Sequence, residues 1–321
     1  MRVLVTGGAG FIGANLCRAL AGRPQVRGVT VLDDLSTGDP RNLDGTGAVL
    51  VRGSVLDRDL VGELVAAATS VIHLAAIPSV PRSLKDPMSS HAVNVTGTLN
   101  VLEACRRHRP HLVLASSSSV YGNAAEAFKH EDLPARPLSP YGAGKLAAEG
   151  YALAYAESFG IPVLPFRFFN VYGPLQPAGH AYAAVVPAFV SAALRGAPVT
   201  IHGDGTQTRD FTYVESVTGV LTHAAVHGVT SRRPVNLAFG TRVSLLELRS
   251  ALESVLGRPV EAVFLPSRPG DIRDSRSSPR LLESLFPGLR ALPLEEGLRR
   301  TVAWFETLTG TNAGRELQAG V

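Results

Sequence analysis

The chain has 321 residues, 45% of them hydrophobic and 18% charged, with 32 Gly and 22 Pro. That composition is globular and excludes a disordered or collagen-like chain. The net charge is only +4, and Lys85, Lys129 and Lys145 are the only lysines among 31 cations, so the basic surplus is small and built from arginine.

An arginine bias spread through an Ala-, Gly- and Pro-rich chain reads as genome composition, and no nucleic-acid partner is expected. The densest basic run, Arg106-Arg107-His108-Arg109, has no aromatic neighbours and falls at a helix C-terminus, where cations complement the dipole. Cys17 and Cys105 are the only cysteines, and no C-x-x-C occurs. Neither a zinc site nor a disulfide framework is expected, and a reduced, cytoplasmic compartment fits. The first strand starts at Arg2 or Val3, so no signal peptide is expected. No run of ~18 apolar residues occurs, so no membrane span is expected.

In chain order, β-rich runs are predicted at 2–6, 29–32, 48–51, 70–74, 111–115 and 162–168. Helical spacing lies between them at 11–21, 94–107 and 141–159. Continuous apolar strands separated by helices predict a parallel sheet covered on both faces, the α/β doubly wound class. After Asn170 the rhythm changes to Gly/Pro-rich loops and helical pieces at 182–195, 213–227 and 244–256. The expected organisation is a Rossmann-type domain from 1–170 plus about 209–240, with a smaller mixed substrate domain from about 171–208 and 241–321. The tail from about Gly310 is polar and is expected to fray.

Gly7-Gly8-Ala9-Gly10-Phe11-Ile12-Gly13 closes the first strand and opens the first helix. Glycines there permit a tight turn and close approach of backbone to a pyrophosphate, and the helix N-terminus supplies N–H donors. Asp33 stands 20 residues after Gly13 at the end of the second strand, with Asp34 next. Either carboxylate can accept from the adenosine ribose and repel a 2′-phosphate, which favours NAD.

Tyr141 and Lys145 stand four apart and share one face of a helix. Lys in an arginine-using chain points to a specific need. An ammonium beside the phenol is expected to lower a tyrosine pKa from its usual ~10. Ser116-Ser117-Ser118-Ser119 follows the fifth strand, at the strand end where open α/β sheets bind ligands.

With these elements in order, the chain resembles an extended short-chain dehydrogenase/reductase of the NAD-dependent nucleotide-sugar epimerase group, over roughly residues 2–305. The resemblance rests on Val5 to Gly13, His73-Leu74-Ala75-Ala76, Asn94-Val95-Thr96-Gly97-Thr98, the serine run, Tyr141/Lys145, Arg167 to Pro174, Gly203-Asp204-Gly205, Arg209-Asp210 and Arg268-Pro269-Gly270-Asp271.

The resemblance implies a cofactor set of Gly7, Gly10, Phe11, Ile12, Gly13, Asp33, Asp34, Ser36, Ser54, Val55, Leu74, Ala75, Ala76, Asn94, Tyr141, Lys145 and Phe168. Ser54 departs from the Asp that many relatives place against adenine. It implies Ser117, Tyr141 and Lys145 as catalytic residues, with Ser117 on the sugar C4 oxygen. Substrate contacts are implied at Ser79, Arg82, Ser117, Ser118, Ser119, Tyr141, Asn170, Val185, Thr200, His202, Arg209, Arg268, Asp271 and Ser275. Arg209 and Arg268 match diphosphate arginines, and Asp271 matches a ribose ligand.

The implied reaction is C4 epimerisation of a UDP-sugar through a transient 4-ketose. Dehydratases of the group carry an Asp-Glu pair, and decarboxylases a Glu, where Ser118 and Ser119 stand. The sugar stays open. UDP-glucuronate or UDP-glucose with their galacto forms come first and UDP-N-acetylglucosamine second, with the small Ser275 expected to leave room at C2. A non-catalytic NAD-binding sensor or scaffold is the alternative from another class. A homodimer through helices near 94–107 and 141–159 is implied. The nine histidines are read as holding neither an H-E-x-x-H motif nor an i, i+4 pair, and no metal is expected.

Overall fold

The computed structural model describes residues 1–124, 126, 128–178, 184–267 and 274–318. Its centre is a seven-stranded sheet. β1 (Arg2–Thr6), β2 (Gly28–Asp33), β3 (Val49–Arg52), β4 (Ser70–His73) and β5 (His111–Ser117) are joined by the strands Val163–Phe168 and Val235–Leu237. The order across the sheet is Val235–Leu237, Val163–Phe168, β5, β4, β1, β2, β3, and every pairing is parallel. β4 and Val163–Phe168 are buried at every position, so neither shows the alternation of a half-exposed strand.

Helices cover both faces. α1 (Phe11–Leu20) packs with the helix Val214–His227 on one side. α2 (Arg58–Ala66), α5 (Thr98–His108) and α6 (Pro140–Phe159) cover the other. Between β4 and α5 lie two short helices, α3 (Val80–Lys85) and α4 (Pro87–His91), and a π-helical turn, Ala92–Gly97. The sequence spacing reads 94–107 as one helix; the π turn displaces its start, a feature common at functional sites. Cys17 and Cys105 are packing residues of the two cores, and burial pushes both thiols up to about 12.

A further core lies around the strand Val199–His202, under the helices Val185–Leu194, Leu245–Leu256 and Leu294–Gln318. The last helix carries its backbone to Gln318, past the point where the sequence suggests fraying. Strands of two or three residues such as Asn170–Tyr172, Thr208–Arg209 and Phe211–Tyr213 are too short to show a pattern in sequence. No helix among the described residues is long and apolar enough to cross a membrane.

Candidate active site and cofactor cleft

A cavity of about 880 Å³ opens along the C-terminal ends of the central strands. Residues after β1 (Gly7, Gly10), β2 (Asp33, Asp34), β4 (Leu74 to Pro78), β5 (Ser116, Ser117) and Val163–Phe168 (Phe168, Phe169) line it. β1 sits between β2 and β4, where successive connections diverge to opposite sides, the crevice that doubly wound sheets offer to ligands.

The glycine loop can be read residue by residue. Gly7 has φ +72°, and a Cβ there would meet Ala75 N at 2.7 Å. At Gly13 a Cβ would lie 2.3 Å from Gly7 O and 2.6 Å from Gly8 Cα, so only glycine lets α1 begin against the turn. Asp33 is buried at the end of β2. Its two oxygens accept from Ala9 N and Leu35 N, both at 2.9 Å. Burial raises its pKa, and those two N–H groups oppose the rise. Asp34 is exposed on the cavity rim and accepts from Ser36 N at 2.9 Å.

Donors, glycines and a second-strand carboxylate on one wall fit a dinucleotide. Gln176, also on the wall, donates to Val171 O at 3.1 Å and keeps its Oε1 buried without a hydrogen-bond partner in the protein. That orphaned acceptor fits a ligand-filled cleft.

At the other side of the cleft, Ser139 caps α6 by accepting from Gly142 N at 3.1 Å, and Pro140 fits the first helical position. The first turns of α6 then direct Tyr141 and Lys145 at the end of β5. Lys145 Nζ donates to Ala115 O at 2.8 Å, and burial lowers its pKa to about 8. Burial raises the Tyr141 pKa, and the neighbouring Ser117 hydroxyl opposes the rise. The expected depression of Tyr141 by Lys145 does not appear, because burial outweighs the groups that favour the phenolate.

Four residues beyond Lys145 on α6, Glu149 accepts from Ser116 Oγ at 2.8 Å and from Arg167 Nε and Nη2 at 3.0 and 2.7 Å. The guanidinium also lies 4.7 Å from the Tyr121 ring centroid. This buried pair ties α6 to β5 and its neighbouring strand.

Buried polar groups also pin the loop after β4. Thr6 Oγ1 accepts from Ala75 N at 3.2 Å and pairs with His73 Nδ1 at 2.7 Å. Thr98 Oγ1 donates to Asn94 O at 2.8 Å, so it accepts from His73 Nε2 at 3.0 Å. His73 is therefore the Nε2–H tautomer. Burial first, and the Lys145 charge second, lower its pKa to about 3.

The cavity brings together most of the expected site residues. Gly7, Gly10, Phe11, Ile12, Gly13, Asp33, Asp34, Ser36, Val55, Leu74, Ala75, Ala76, Phe168, Ser117, Tyr141 and Lys145 line it. So do Asn170, Val185, Thr200, His202 and Arg209.

Seven others stand off the wall, and each has a local partner or place. The Ser54 hydroxyl accepts from Leu56 N at 3.2 Å, while its neighbours Gly53 and Val55 reach the cavity. Asn94 is buried and clasps Ile77, accepting from its N at 2.8 Å and donating to its O at 3.2 Å. Ser79 caps α3, and Arg82 lies on that helix, half-buried. Ser118 and Ser119 form a 3₁₀ turn in which Ser119 bonds to Ser117. Ser275 pairs with Arg209 across parallel strands, so the expectation that it shapes room at C2 lacks a wall position. Arg268 and Asp271 lie outside the described residues.

Sequence reasoning did not single out Gln176, Gln207, Phe189 or Leu245, which line the cavity from separate elements, nor Glu149, whose signal is its place four residues after Lys145. It also passed over His223 and His227, which do stand four apart. Their rings stack at 4.2 Å, and His223 packs on Phe286. Among the described residues no group of three or more metal-ligating side chains occurs.

A UDP-glucose 4-epimerase of Mycolicibacterium smegmatis is 38% identical over 312 residues, 95% of this chain and 98% of that one. A UDP-N-acetylglucosamine 4-epimerase from Methanobrevibacter ruminantium, solved with UDP-N-acetylmuramic acid, superposes with a TM-score of 0.90. It is 33% identical and covers 96% of this chain and 98% of its own. A UDP-glucuronic acid 4-epimerase from Bacillus cereus, solved with UDP-glucuronic acid and NAD, gives 0.85 at 32% identity, with 96% and 100% covered. The model of the NAD dependent epimerase/dehydratase family matches residues 3–238. The chain belongs to the NAD dependent epimerase/dehydratase family.

Proposed function

We propose that this chain interconverts the C4 epimers of a UDP-sugar, with NAD as its resident cofactor. One observation carries the reading. Ser117, Tyr141 and Lys145 share one cavity with the glycine loop and with Asn170 and Arg209, and the only carboxylates among its described lining residues are Asp33 and Asp34. β2, which ends at Asp33 with Asp34 next, is three strands from β5, about 14 Å away. Elimination of water needs an acid and a base at the sugar; the described wall places neither carboxylate there.

The residues divide the work as follows. Tyr141 Oη takes the proton of the 4-hydroxyl and returns it, while Ser117 donates to that oxygen and favours the phenolate. Held along the glycine loop and Asp33, NAD would supply the acceptor for the C4 hydride and the donor that returns it to the opposite face of the 4-keto sugar once the sugar has turned over. Because the hydride comes back, no net oxidation occurs. Buried walls keep water from the 4-keto sugar. Arg209 holds the diphosphate by charge-assisted hydrogen bonds, together with Asn170 and Arg268; Asp271 takes the ribose, and Thr200 and His202 flank the base. Residues 1–170 with 209–240 carry the cofactor, and the remainder carries the nucleotide sugar.

Between the two leading sugars, UDP-glucose and its galacto form are favoured over the glucuronate pair. Lys145 and Arg209 are the only Lys or Arg among the described lining residues, and Arg82 stands off the wall. A homodimer through α5 and α6 accords with the exposure of Tyr151 (44%) and Phe159 (39%) on α6; light scattering tests it. Two free, buried thiols fit a cytoplasmic enzyme.

The test is proton NMR of UDP-glucose, UDP-glucuronate and UDP-N-acetylglucosamine, each incubated with the protein without added NAD. A galacto-configured product establishes 4-epimerisation with retained cofactor, and relative rates assign the sugar. No product with any of them, with or without NAD, removes the reading. A sensor or scaffold is separated by Tyr141→Phe, which abolishes turnover in an enzyme.

A further inference from the structure

We infer that Ser83 is a positioning residue for Tyr141: its hydroxyl holds the backbone N–H of the catalytic tyrosine from a helix on the far side of the cavity loop. The inference deepens the reading of Tyr141 as the base and rests on it.

The N-terminus of α6 must satisfy its free N–H groups. Pro140 has none. Gly142 N goes to Ser139 Oγ at 3.1 Å, and Ala143 N to Ser139 O at 2.9 Å. Tyr141 N is left over. It donates to Ser83 Oγ at 3.0 Å, 58 residues upstream in the chain. Ser83 is fully buried, and its own proton goes to Val80 O at 2.8 Å. With the proton committed there, the hydroxyl presents a fixed lone pair to Tyr141.

Ser83 is itself held in place. It sits on α3, whose N-cap Ser79 has φ +99°, a conformation that side-chain-bearing residues rarely adopt. Immediately upstream, Ile77 is clasped by Asn94 and Ala75 by Thr6, and both residues line the cavity. The wall of the cavity and the backbone of the base are thus joined through one hydroxyl. Removing it strands a buried N–H, and the backbone must move to find another acceptor. That shift carries the phenol away from Ser117.

The experiment compares Ser83→Ala and Ser83→Cys with wild type, and uses Thr301→Ala as a control for losing a fully buried hydroxyl on the C-terminal helix. Turnover, KM, bound NAD, the pH dependence of kcat and hydrogen exchange of the peptide 138–146 are measured. In Ser83→Ala, kcat falls about 10- to 100-fold, the cost of a misplaced reacting group. KM stays within about twofold and bound NAD is unchanged. The limb of kcat that reports the base moves to higher pH, and exchange at the Tyr141 amide speeds up. Ser83→Cys, which keeps a weak acceptor, recovers part of the loss and serves if the alanine variant does not fold. Thr301→Ala keeps its kcat.

Wild-type kcat in Ser83→Ala, a loss confined to KM or bound NAD, or an unchanged pH limb and amide exchange overturns the inference. If wild type itself turns over no UDP-sugar, the proposed function falls, and exchange at Tyr141 still decides whether Ser83 holds that amide.

Discussion

Ser119 donates its hydroxyl proton to Ser117 across 2.9 Å, and its backbone N–H reaches the same oxygen at 3.2 Å. Both lone pairs of Ser117 are occupied, which leaves its own proton as the group it can offer to Tyr141, whose pKa it lowers. Ser119 therefore acts on the base through Ser117. Ser117→Ala should lower kcat by about 10²-fold, and Ser119→Ala by about 10-fold. Bound NAD should be unchanged in both. Steady-state kinetics with cofactor content decide this; equal retention of kcat in Ser119→Ala would show that Ser117 needs no such guide.

Lys145 costs the fold stability that its chemistry requires. Its pKa is lowered from 10.5 to about 8 by burial, so the unfolded chain binds the proton more tightly. Stability should rise with pH between about 8 and 10.5, and the penalty is complete below 8. Lys145→Met should be inactive and up to about 3 kcal/mol more stable at pH 7, less the lost bond to Ala115. Urea denaturation of both proteins from pH 7 to 10 checks the sign, and a less stable variant at pH 7 contradicts it.

His73 gives the opposite end of the pH range. Its folded pKa of about 3 lies below the ordinary 6.5, so acid favours the unfolded chain. The protein should lose about 2 kcal/mol between pH 6.5 and 5, and more toward pH 3. His73→Asn should flatten that slope, read from denaturation midpoints at each pH. An identical slope in the variant assigns acid sensitivity elsewhere.

Two glycines should respond with opposite sign. Gly13→Ala drives a Cβ into the backbone of Gly7 and Gly8 and should cost about 1–3 kcal/mol together with bound NAD. Gly62 lies in α2, where a Cβ would meet nothing within 4 Å, and Gly62→Ala should gain up to about 1 kcal/mol. Thermal melts and the absorbance of released cofactor measure both.

Much of the first half of the fold was legible because β1, β4 and β5 are largely buried runs and α1 and α5 are amphipathic, so those elements state their own period. The glycine loop and the Tyr141/Lys145 pair were legible for a related reason, since their chemistry is local and written within a few residues. What was hidden depends on distance along the chain. Ser83 meets Tyr141, Asn94 meets Ile77, and Gln176 reaches the wall only because remote segments converge. Ser54 and Asn94 show the converse: a residue can hold the right place in a motif while its side chain serves the loop beside the cavity.

The same economy bears on attempts to change the cofactor. Asp33 is the residue one would replace to admit a 2′-phosphate, yet its two oxygens brace Ala9 and Leu35. Neutralising it would slacken the glycine turn along with the charge, so a redesign aimed there trades selectivity against the shape of the whole binding wall. Exposed Asp34 and Ser36 on the rim offer the route that leaves the brace intact.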